Sequence, residues 1–280
     1  MLSVHPFKIS VCRILFKFKS VLVRFVYYYI FVACFNTDNN SYMKIALIGY
    51  GRMGKEIEKI ALDRGHEIGL KIDINNQHEL TTSNLKQCDV AIEFTVPSTA
   101  INNYFACFEA GIPVVSGTTG WLDRKDEVYE KCQKSDGTFF YGSNFSVGVN
   151  LFFELNKKLA ELMAPRAEYG VEMTEVHHTQ KLDAPSGTAI SLAEDIVDLL
   201  PAKNAWVNDK EPGENEINIK SERTGQVPGI HTVKYESEVD FIEITHSAKS
   251  RKGFAFGAVL AAEFCQNNKG ILTMKDLLKI

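Results

Sequence analysis

From residue 43 to about residue 143, short apolar runs alternate with segments whose apolar positions recur at helical spacing. The runs predict five buried strands, at 45–48, 67–72, 89–94, 113–116 and 138–141. The segments between them predict helices at 54–64, 98–110 and 122–134, the second with Ser98 as its N-cap. Strands that alternate with helices of this length are typical of a parallel sheet covered on both faces.

The pattern changes after Asn144. Helices are predicted at 147–163, 186–200 and 248–267, the middle one capped by Ser186. Strands are predicted at 171–176, 217–222, 230–236 and 239–245, and the last three have no long helix between them. This half of the chain therefore predicts a second, mostly antiparallel sheet, and hence a second domain.

Composition narrows the classes of function. The chain has 280 residues, 45% of them hydrophobic, which is enough for two domains. Its net charge of -4 makes a nucleic acid an unexpected partner. The six cysteines are scattered, without the spacing of a zinc site, so we expect no metal and a reducing, cytoplasmic location.

Residues 1–42 differ in character from the rest of the chain. Several basic residues precede the first acidic one, Asp38, and an apolar run of 11 residues covers 25–35. A bilayer span needs about 20 residues, so we expect no stable membrane association. Three interpretations stay open: translation starts at Met43, the segment is a targeting or anchor sequence, or it is a folded element. We expect a non-native or targeting extension.

A glycine-rich loop follows the first predicted strand. Gly49, Gly51 and Gly54 have the Gly-x-Gly-x-x-Gly spacing and open a helix, which is typical of a dinucleotide site where the pyrophosphate meets a helix N-terminus. Asp73 ends the second strand 19 residues after Gly54, where a carboxylate accepts hydrogen bonds from a ribose 2′-hydroxyl. This favours NADH over NADPH, although Lys71 is close enough in sequence to neutralise a phosphate.

A second loop, Gly117-Thr118-Thr119-Gly120, follows the fourth predicted strand. Ligands bind at the carboxyl ends of strands in open α/β sheets. Backbone N–H groups and the two hydroxyls of this loop are therefore candidates for contacts with the nicotinamide ribose or carboxamide.

The segment 177–188 carries the most specific chemistry. His177 and His178 end a predicted strand, so their side chains point to opposite faces and should differ in role. An imidazole suits general acid catalysis near neutral pH. Lys181 can pair with a carboxylate or donate a proton, and Ser186-Gly187-Thr188 opens a helix whose free N–H groups form an anion site.

This segment resembles the signature of the 4-hydroxy-tetrahydrodipicolinate (dihydrodipicolinate) reductase family, which acts in lysine biosynthesis through diaminopimelate. Further matches lie at 51–54, 117–120 and 144–148, and a C-terminal stretch at 243–255 includes Arg251. The resemblance covers Met43 to about residue 266. It implies an α/β fold with a Rossmann-like nucleotide domain at 43–143, to which a C-terminal helix at 250–280 returns. A substrate-binding domain at 144–249 would build a homotetramer.

The resemblance also implies roles for individual residues. His177 would donate or accept the proton, Lys181 would be the second proton donor, and His178, Ser186, Gly187 and Thr188 would hold the two carboxylates of the substrate. The nucleotide would contact Gly49, Tyr50, Gly51, Arg52, Met53, Gly54, Asp73, Gly117, Thr118, Thr119, Ser143, Asn144 and Phe145.

We therefore expect an enzyme that transfers a hydride from NADH or NADPH to C4 of a small cyclic imine dicarboxylate, with loss of water. A related amino-acid dehydrogenase, such as an aspartate dehydrogenase, is an alternative in the same class. A non-catalytic NADH-binding sensor is an alternative of another class, although such a sensor needs no proton donor beside a dicarboxylate site.

Overall fold

The computed structural model describes residues 42–250 and 252–280. The predictions for residues 1–42, apart from Tyr42, and the predicted match at Arg251 lie outside the described residues. Within those two ranges, no helix combines the length and the apolar character that a bilayer crossing requires.

The strands are β1 (Lys44–Ile48), β2 (Glu67–Ile72), β3 (Val90–Glu93), β4 (Val114–Ser116), β5 (Thr138–Tyr141), β6 (Gly170–His177), β7 (Ala205–Asn208), β8 (Glu216–Arg223), β9 (Ile230–Glu236), β10 (Phe241–Ser247) and β11 (Gly270–Leu272). The helices are α1 (Arg52–Asp63), α2 (Thr82–Leu85), α3 (Pro97–Ala110), α4 (Lys125–Lys134), α5 (Val147–Met163), α6 (Gly187–Leu199), α7 (Lys252–Cys265) and α8 (Met274–Leu278).

The first sheet has six strands in the order β11-β5-β4-β3-β1-β2, and every pairing is parallel. The five predicted strands are confirmed to within one residue at each end. The order reverses between β1 and β3, and such a switch point is where open parallel sheets bind their ligands. The predicted Rossmann-like α/β architecture is confirmed.

Alternate residues of β1 enter two separate cores. Ile45 and Leu47 pack with α1 and α7, whereas Ala46 and Ile48 pack with α3 on the opposite face. Because helices cover both faces, the central strands are apolar on both sides. Both helical layers therefore fix the position of the carboxyl ends of these strands.

The second sheet has five strands in the order β10-β9-β6-β8-β7. The pairings of β9 with β10 and of β6 with β9 are antiparallel, while β8 pairs in parallel with β6 and β7. Helices α5 and α6 cover one face of this sheet. The prediction of a separate second sheet with antiparallel pairing is confirmed, and its β6–β8–β7 side is parallel.

Two predictions about helix ends are wrong. The N-cap of α3 is Val96 and not Ser98, because Pro97 occupies the first helical turn, where the fixed φ of proline fits and its missing N–H has no partner to lose. The predicted final helix is also shorter: α7 ends at Cys265, and Asn268 Nδ2 donates to the carbonyl of Phe264. Strand β11 and helix α8 follow it.

The C-terminal segment returns to the first sheet. Strand β11 pairs with β5, and α7 packs into the core that contains β1. The first sheet is thus built from two separate stretches of the chain. One precedes and the other follows, in sequence, the segment that forms the second sheet.

Candidate active site

The glycine loop turns sharply between β1 and α1. Gly49 has a φ of +98° and donates its N–H to the carbonyl of Ile72 at 2.9 Å. A Cβ on Gly54 would stand 2.3 Å from the carbonyl oxygen of Gly49, so a side chain there would break the turn. Helix α1 begins after Gly51 without a side-chain cap, and its first N–H groups stay available for an anion.

Phe94, which follows β3, contacts three of the predicted nucleotide loops. If Gly49 carried a side chain, its Cβ would lie 2.0 Å from the carbonyl oxygen of Phe94. A Cβ on Gly117 would likewise lie 2.1 Å from the Phe94 ring. The same ring also packs against Phe145, with the centroids 5.7 Å apart. The structure therefore brings the loops after β1, β4 and β5 together around one residue, and both glycines are needed there.

Glu93, the last residue of β3, is a fully buried carboxyl group that sequence analysis missed. The hydroxyls of Ser116 and Thr118 donate to it at 2.7 and 3.0 Å, and the hydroxyl of Thr95 donates as well. Thr118 Oγ1 also accepts the backbone N–H of Thr95 at 2.8 Å. The Thr118 hydroxyl is thus engaged inside the protein. The backbone N–H groups of Gly117 and Thr118 are engaged as well, since they donate to the Glu93 carbonyl at 3.0 Å and to Ser116 Oγ at 3.3 Å. The available signal was an acidic residue within an apolar strand.

Asp73 follows β2 and is exposed. Its Oδ1 accepts the N–H of Ile74 at 2.8 Å, which fixes the turn. Nearby, the hydroxyl of Tyr50 donates to Glu58, and Lys71 forms an ion pair with the same carboxylate. The region where an adenosine ribose is expected therefore carries two carboxylates.

The remaining predicted nucleotide residues differ in exposure. Arg52, Thr119 and Ser143 are exposed, whereas Met53 packs against the core of the first sheet. The ring of Phe145 is only 2% exposed, so this residue supports the loop from within.

The segment after β5 leads into α5 and packs closely against the rest of the chain. The side chain of Asn144 accepts the backbone N–H of Ser146 at 2.9 Å. A Cβ on Gly257 would lie 1.7 Å from the carbonyl oxygen of Phe145, so α7 can approach only because residue 257 is glycine.

His177 ends β6 and is buried, whereas His178 follows the strand and is half-buried. The two rings stand in different surroundings, as alternation along a strand predicts. The carbonyl of His177 accepts the N–H of Thr224 at 2.8 Å. Its Nε2 would lie 3.0 Å from a Cβ on Gly229, so the glycine leaves space beside that nitrogen.

Glu175 lies two residues before His177 and is fully buried. Its Oε1 accepts hydrogen bonds from Ser221 Oγ and Arg223 Nη2, both at 2.9 Å. The backbone N–H of Ser186 lies 3.1 Å from each carboxylate oxygen. Burial raises the pKa of this carboxyl, but its contacts with His177, Ser186 and Arg223 outweigh burial and hold the pKa well below its ordinary value. The group is therefore ionised.

His231 on β9 faces the same carboxylate. Its Nε2 lies 3.1 Å from Ser186 Oγ and 3.8 Å from Glu175 Oε2. Burial, followed by the neighbouring His177, lowers the pKa of His231 to about 4, so this ring is neutral near pH 7. Sequence analysis missed both Glu175 and His231, which the register of β6 and β9 places opposite each other.

The N-terminus of α6 lies beside this cluster. Ser186 is its N-cap, as predicted, and the Ser186 hydroxyl accepts the N–H of Ala189 at 3.3 Å. A Cβ on Gly187 would meet no atom within 4 Å, so the helix end is open there. Thr188 follows in the first turn. Free N–H groups and the helix dipole favour an anion at such a place.

Lys181 is held by a neighbouring acid. Its Nζ donates to Asp183 Oδ1 at 2.8 Å and Oδ2 at 2.6 Å, and this bond lowers the pKa of Asp183. Arg223 Nη2 donates to the carbonyl of Asp183 at 2.6 Å, which ties the loop to β8. A substrate carboxylate would have to compete with Asp183 for the ammonium group.

Glu175, His177 and His231 offer three ligand atoms that lie within 4.8 Å of one another, a spacing that suits a metal ion. However, the guanidinium of Arg223 already stands 2.9 Å from the carboxylate and supplies a positive charge. A divalent cation would add to that charge in a buried place, which is costly. The cluster fits acid–base chemistry better than metal binding.

Comparisons with known proteins identify the family of this chain. The family model for the N-terminus of dihydrodipicolinate reductase matches residues 43–145, and the model for its C-terminus matches residues 148–278. A 4-hydroxy-tetrahydrodipicolinate reductase from Christiangramia forsetii is 54% identical over 237 residues, which are 84% of this chain and 98% of that protein. One from Methanosarcina acetivorans is 37% identical over 240 residues, 84% of this chain and 88% of that protein.

Among solved structures, a dipicolinate-bound dihydrodipicolinate reductase from Paenisporosarcina sp. TG-14 superposes with a TM-score of 0.67. The superposition covers 83% of this chain and 97% of that one, at 23% identity, and it supports the fold alone. The two family models together cover nearly all of the described residues. The chain belongs to the dihydrodipicolinate reductase family.

Proposed function

We propose that this chain reduces 4-hydroxy-2,3,4,5-tetrahydrodipicolinate to tetrahydrodipicolinate with NADH or NADPH, in lysine biosynthesis through diaminopimelate. One observation carries the proposal: His177 and the open N-terminus of α6 adjoin the same buried carboxylate, Glu175. A proton donor therefore lies beside an anion site, as reduction of a small dicarboxylate requires.

The loop after β1 supports a dinucleotide cofactor. A Cβ on Gly51 would point into open space, where a pyrophosphate can approach the uncapped start of α1. Gly49 to Gly54, Asp73, Gly117 to Thr119 and Ser143 to Phe145 would hold the nucleotide. When bound, NADH or NADPH supplies the hydride.

The second sheet would hold the substrate. In this proposal the N–H groups at Gly187 and Thr188 donate hydrogen bonds to one carboxylate, and the half-buried His178 binds the other. Lys181 pairs with Asp183, but both side chains are partly exposed. In this proposal the ammonium group of Lys181 exchanges Asp183 for a substrate carboxylate.

The proton balance assigns a task to His177. Substrate, reduced cofactor and one proton give product, oxidised cofactor and water, as the hydride arrives at C4 and the C4 hydroxyl leaves. His177 supplies that proton from the nitrogen that faces Gly229, and Lys181 is the alternative donor of the same proton. Gly229 has no side chain to crowd that nitrogen.

The proposed cofactor preference is NADH at least as much as NADPH. Asp73 is exposed at the end of β2, and its charge would oppose a 2′-phosphate. The two cofactors differ here in their interaction with one charge and a few hydrogen bonds. We therefore expect the free energy of discrimination between NADH and NADPH to be about 1–3 kcal/mol.

We further propose a homotetramer that forms through the second sheet. Helices α5 and α6 cover one face of that sheet, while the other face carries half-exposed residues such as Thr232 and Lys234. Phe241 and Ile242 on its edge strand are 59% and 42% exposed. Light scattering coupled to size-exclusion chromatography measures the subunit count.

The proposed location is the cytoplasm. The four described cysteines, Cys88, Cys107, Cys132 and Cys265, are free and buried, which suits a reducing compartment.

One assay tests the reaction against its alternatives. The condensation product of aspartate semialdehyde and pyruvate is supplied with NADH, and loss of the reduced nicotinamide absorbance is followed. The proposal requires rapid, substrate-dependent NADH oxidation. An aspartate dehydrogenase would instead reduce NAD⁺ with aspartate, and a sensor would bind NADH without turnover of either substrate.

A further inference from the structure

We propose that Glu175 is a positioning residue that orients His177 and ties it to the anion site at the start of α6. This inference rests on the proposed function, because it takes His177 as the proton donor. It adds a residue that the motif at 177–188 does not contain.

The two oxygens of Glu175 serve different partners. Oε1 accepts the hydrogen bonds from Ser221 and Arg223 on β8, which fix the carboxylate in place. Oε2 lies 3.3 Å from His177 Nδ1, which is within ion-pair distance, although the two atoms do not meet the geometry of a hydrogen bond. A carboxylate beside Nδ1 favours a proton on that nitrogen and orients the ring. The opposite nitrogen then faces Gly229 and the substrate.

The same carboxylate fixes the start of α6. Ser186 N–H lies 3.1 Å from both oxygens, and Ser186 is the N-cap of that helix. The proton donor at the end of β6 and the N–H groups at Gly187 and Thr188 are therefore held on one buried anchor. A shift of about 1 Å between such groups is enough to slow a reaction about 10²-fold.

Charges around Glu175 decide its effect on the pH dependence. Arg223 faces it from β8 and balances its charge, so the start of α6 keeps its attraction for an anionic substrate. His231 faces it from β9 as a neutral ring. Lys181 and Asp183 stand in the loop after β6 as a bonded pair. His246 on β10 pairs in register with His231, and burial lowers the pKa of His246.

Two variants change the charge beside His177 in opposite senses. Glu175→Gln removes the negative charge and keeps the shape of the side chain, so kcat should fall roughly 10- to 100-fold, less than for loss of the general acid itself. The limb of the pH profile where the rate is lost as pH rises should move to lower pH by about one unit or more. Arg223→Met leaves the carboxylate unbalanced, so the same limb should move to higher pH.

Glu172→Gln is the matched control. Glu172 lies on the same strand, is exposed, and pairs with Lys234 at 3.5 Å, away from the cluster. This variant should keep the kcat and the pH profile of the unchanged protein. Binding of NADH, followed by its fluorescence, reports that each variant is folded.

A folded Glu175→Gln protein with unchanged kcat and an unchanged pH profile overturns the inference. The inference is also overturned if Glu175→Gln and Arg223→Met move the high-pH limb of the profile in the same direction. If Glu175→Gln fails to bind NADH because it is unfolded, the direction of the shift in Arg223→Met decides alone.

A readout without turnover separates this inference from the proposed function. The ring protons of His177 are assigned in NMR spectra with the His177→Gln variant, and their titration is followed in the absence of substrate. The titration should move to lower pH in Glu175→Gln. An unchanged titration refutes the positioning role. If the protein does not reduce the dicarboxylate but the titration still shifts, only the proposed reaction is refuted.

Discussion

Lys71 Nζ lies 2.6 Å from Glu58 Oε1. The ammonium group also stands 4.9 Å from the ring centroid of Tyr50, whose hydroxyl donates to the same carboxylate. This ion pair raises the pKa of Lys71 and lowers the pKa of Glu58. The sequence suggested Lys71 as a counter-charge for a 2′-phosphate, but in the structure that charge is already matched by a residue of α1.

Removal of the Glu58 carboxylate should free the Lys71 ammonium group to bind the 2′-phosphate of NADPH. In Glu58→Gln the ratio of kcat/KM for NADPH to that for NADH should rise by up to about fivefold, because exposed ion pairs contribute about 0.2–1 kcal/mol. Glu56→Gln is the control, since Glu56 lies on the same helix and pairs with Lys59 at 3.4 Å. Moderate ionic strength avoids an exaggerated attraction between phosphate and lysine. An equal rise in both variants would contradict a specific role for Glu58.

Asp73→Ala should shift the same ratio toward NADPH, because the carboxylate that opposes a 2′-phosphate is removed. The unchanged enzyme should use NADH at least as well as NADPH, without absolute specificity. If the unchanged enzyme prefers NADPH more than tenfold and Asp73→Ala leaves the ratio as it is, Asp73 points away from the ribose.

His177→Gln should lose about 10²–10⁴-fold in kcat while KM changes less, because a general acid acts mainly in the transition state. Steady-state kinetics at saturating cofactor measure both constants. His78→Gln is the control, since the side chain of His78 is 79% exposed and lies far from the motif in sequence. An unchanged kcat in His177→Gln would remove this residue from the mechanism.

Lys181→Ala should lower kcat and raise KM together, because the ammonium group is proposed to bind a carboxylate and to supply a proton. Lys220→Ala, which removes an exposed lysine paired with Glu222 at 2.8 Å, should change neither constant. A pure effect on KM would leave Lys181 as a binding residue only.

A shortened chain that starts at Met43 should fold and keep its activity. Met43 is fully buried in the core of the first sheet, and its carbonyl accepts the N–H of Glu67 at 2.9 Å, so the shortened chain keeps the whole of β1. Solubility, thermal unfolding and NADH oxidation are compared for both lengths. If only the full-length chain folds or works, residues 1–42 are an essential part of the protein.

His231 should make the protein less stable in mild acid. The unfolded chain binds a proton near pH 6.5, but the buried ring in the folded protein binds it only near pH 4. Stability is therefore lost as pH falls from about 6.5 to 4, by about 3 kcal/mol at most. Urea unfolding at several pH values measures the slope, which should be smaller in His231→Gln. An equal slope in both proteins would mean that folding does not change the affinity of His231 for a proton.

Local patterns predicted most of the fold. The strands at 67–72 and 138–141 have the same bounds in the structure, because turn residues bracket each apolar run. Strand β11 and helix α8 were missed because three and five residues are too few to show a period. The pairing of β8 with β6 and β7 depends on long-range contacts, which a sequence pattern does not contain.

The candidate site was predicted only as far as its residues are contiguous. The motif at 177–188 stands out because its chemistry falls within one turn and one helix start. His231 comes from another strand, and only the pairing of β9 with β6 places it opposite Glu175. Glu93 carried a local signal, an acid in a buried strand, but its partners Ser116 and Thr118 lie on the neighbouring strand and its loop.

The return of β11 and α7 to the first sheet has a consequence for synthesis on the ribosome. Strands β1 to β5 leave the exit tunnel while α7, which packs on one side of them, is still untranslated. At about 5–20 residues per second, the intervening stretch takes roughly 5–20 s to make. During that interval the strands of the second sheet are themselves being made, and the nucleotide half exposes to chaperones the part of its apolar face that α7 later covers.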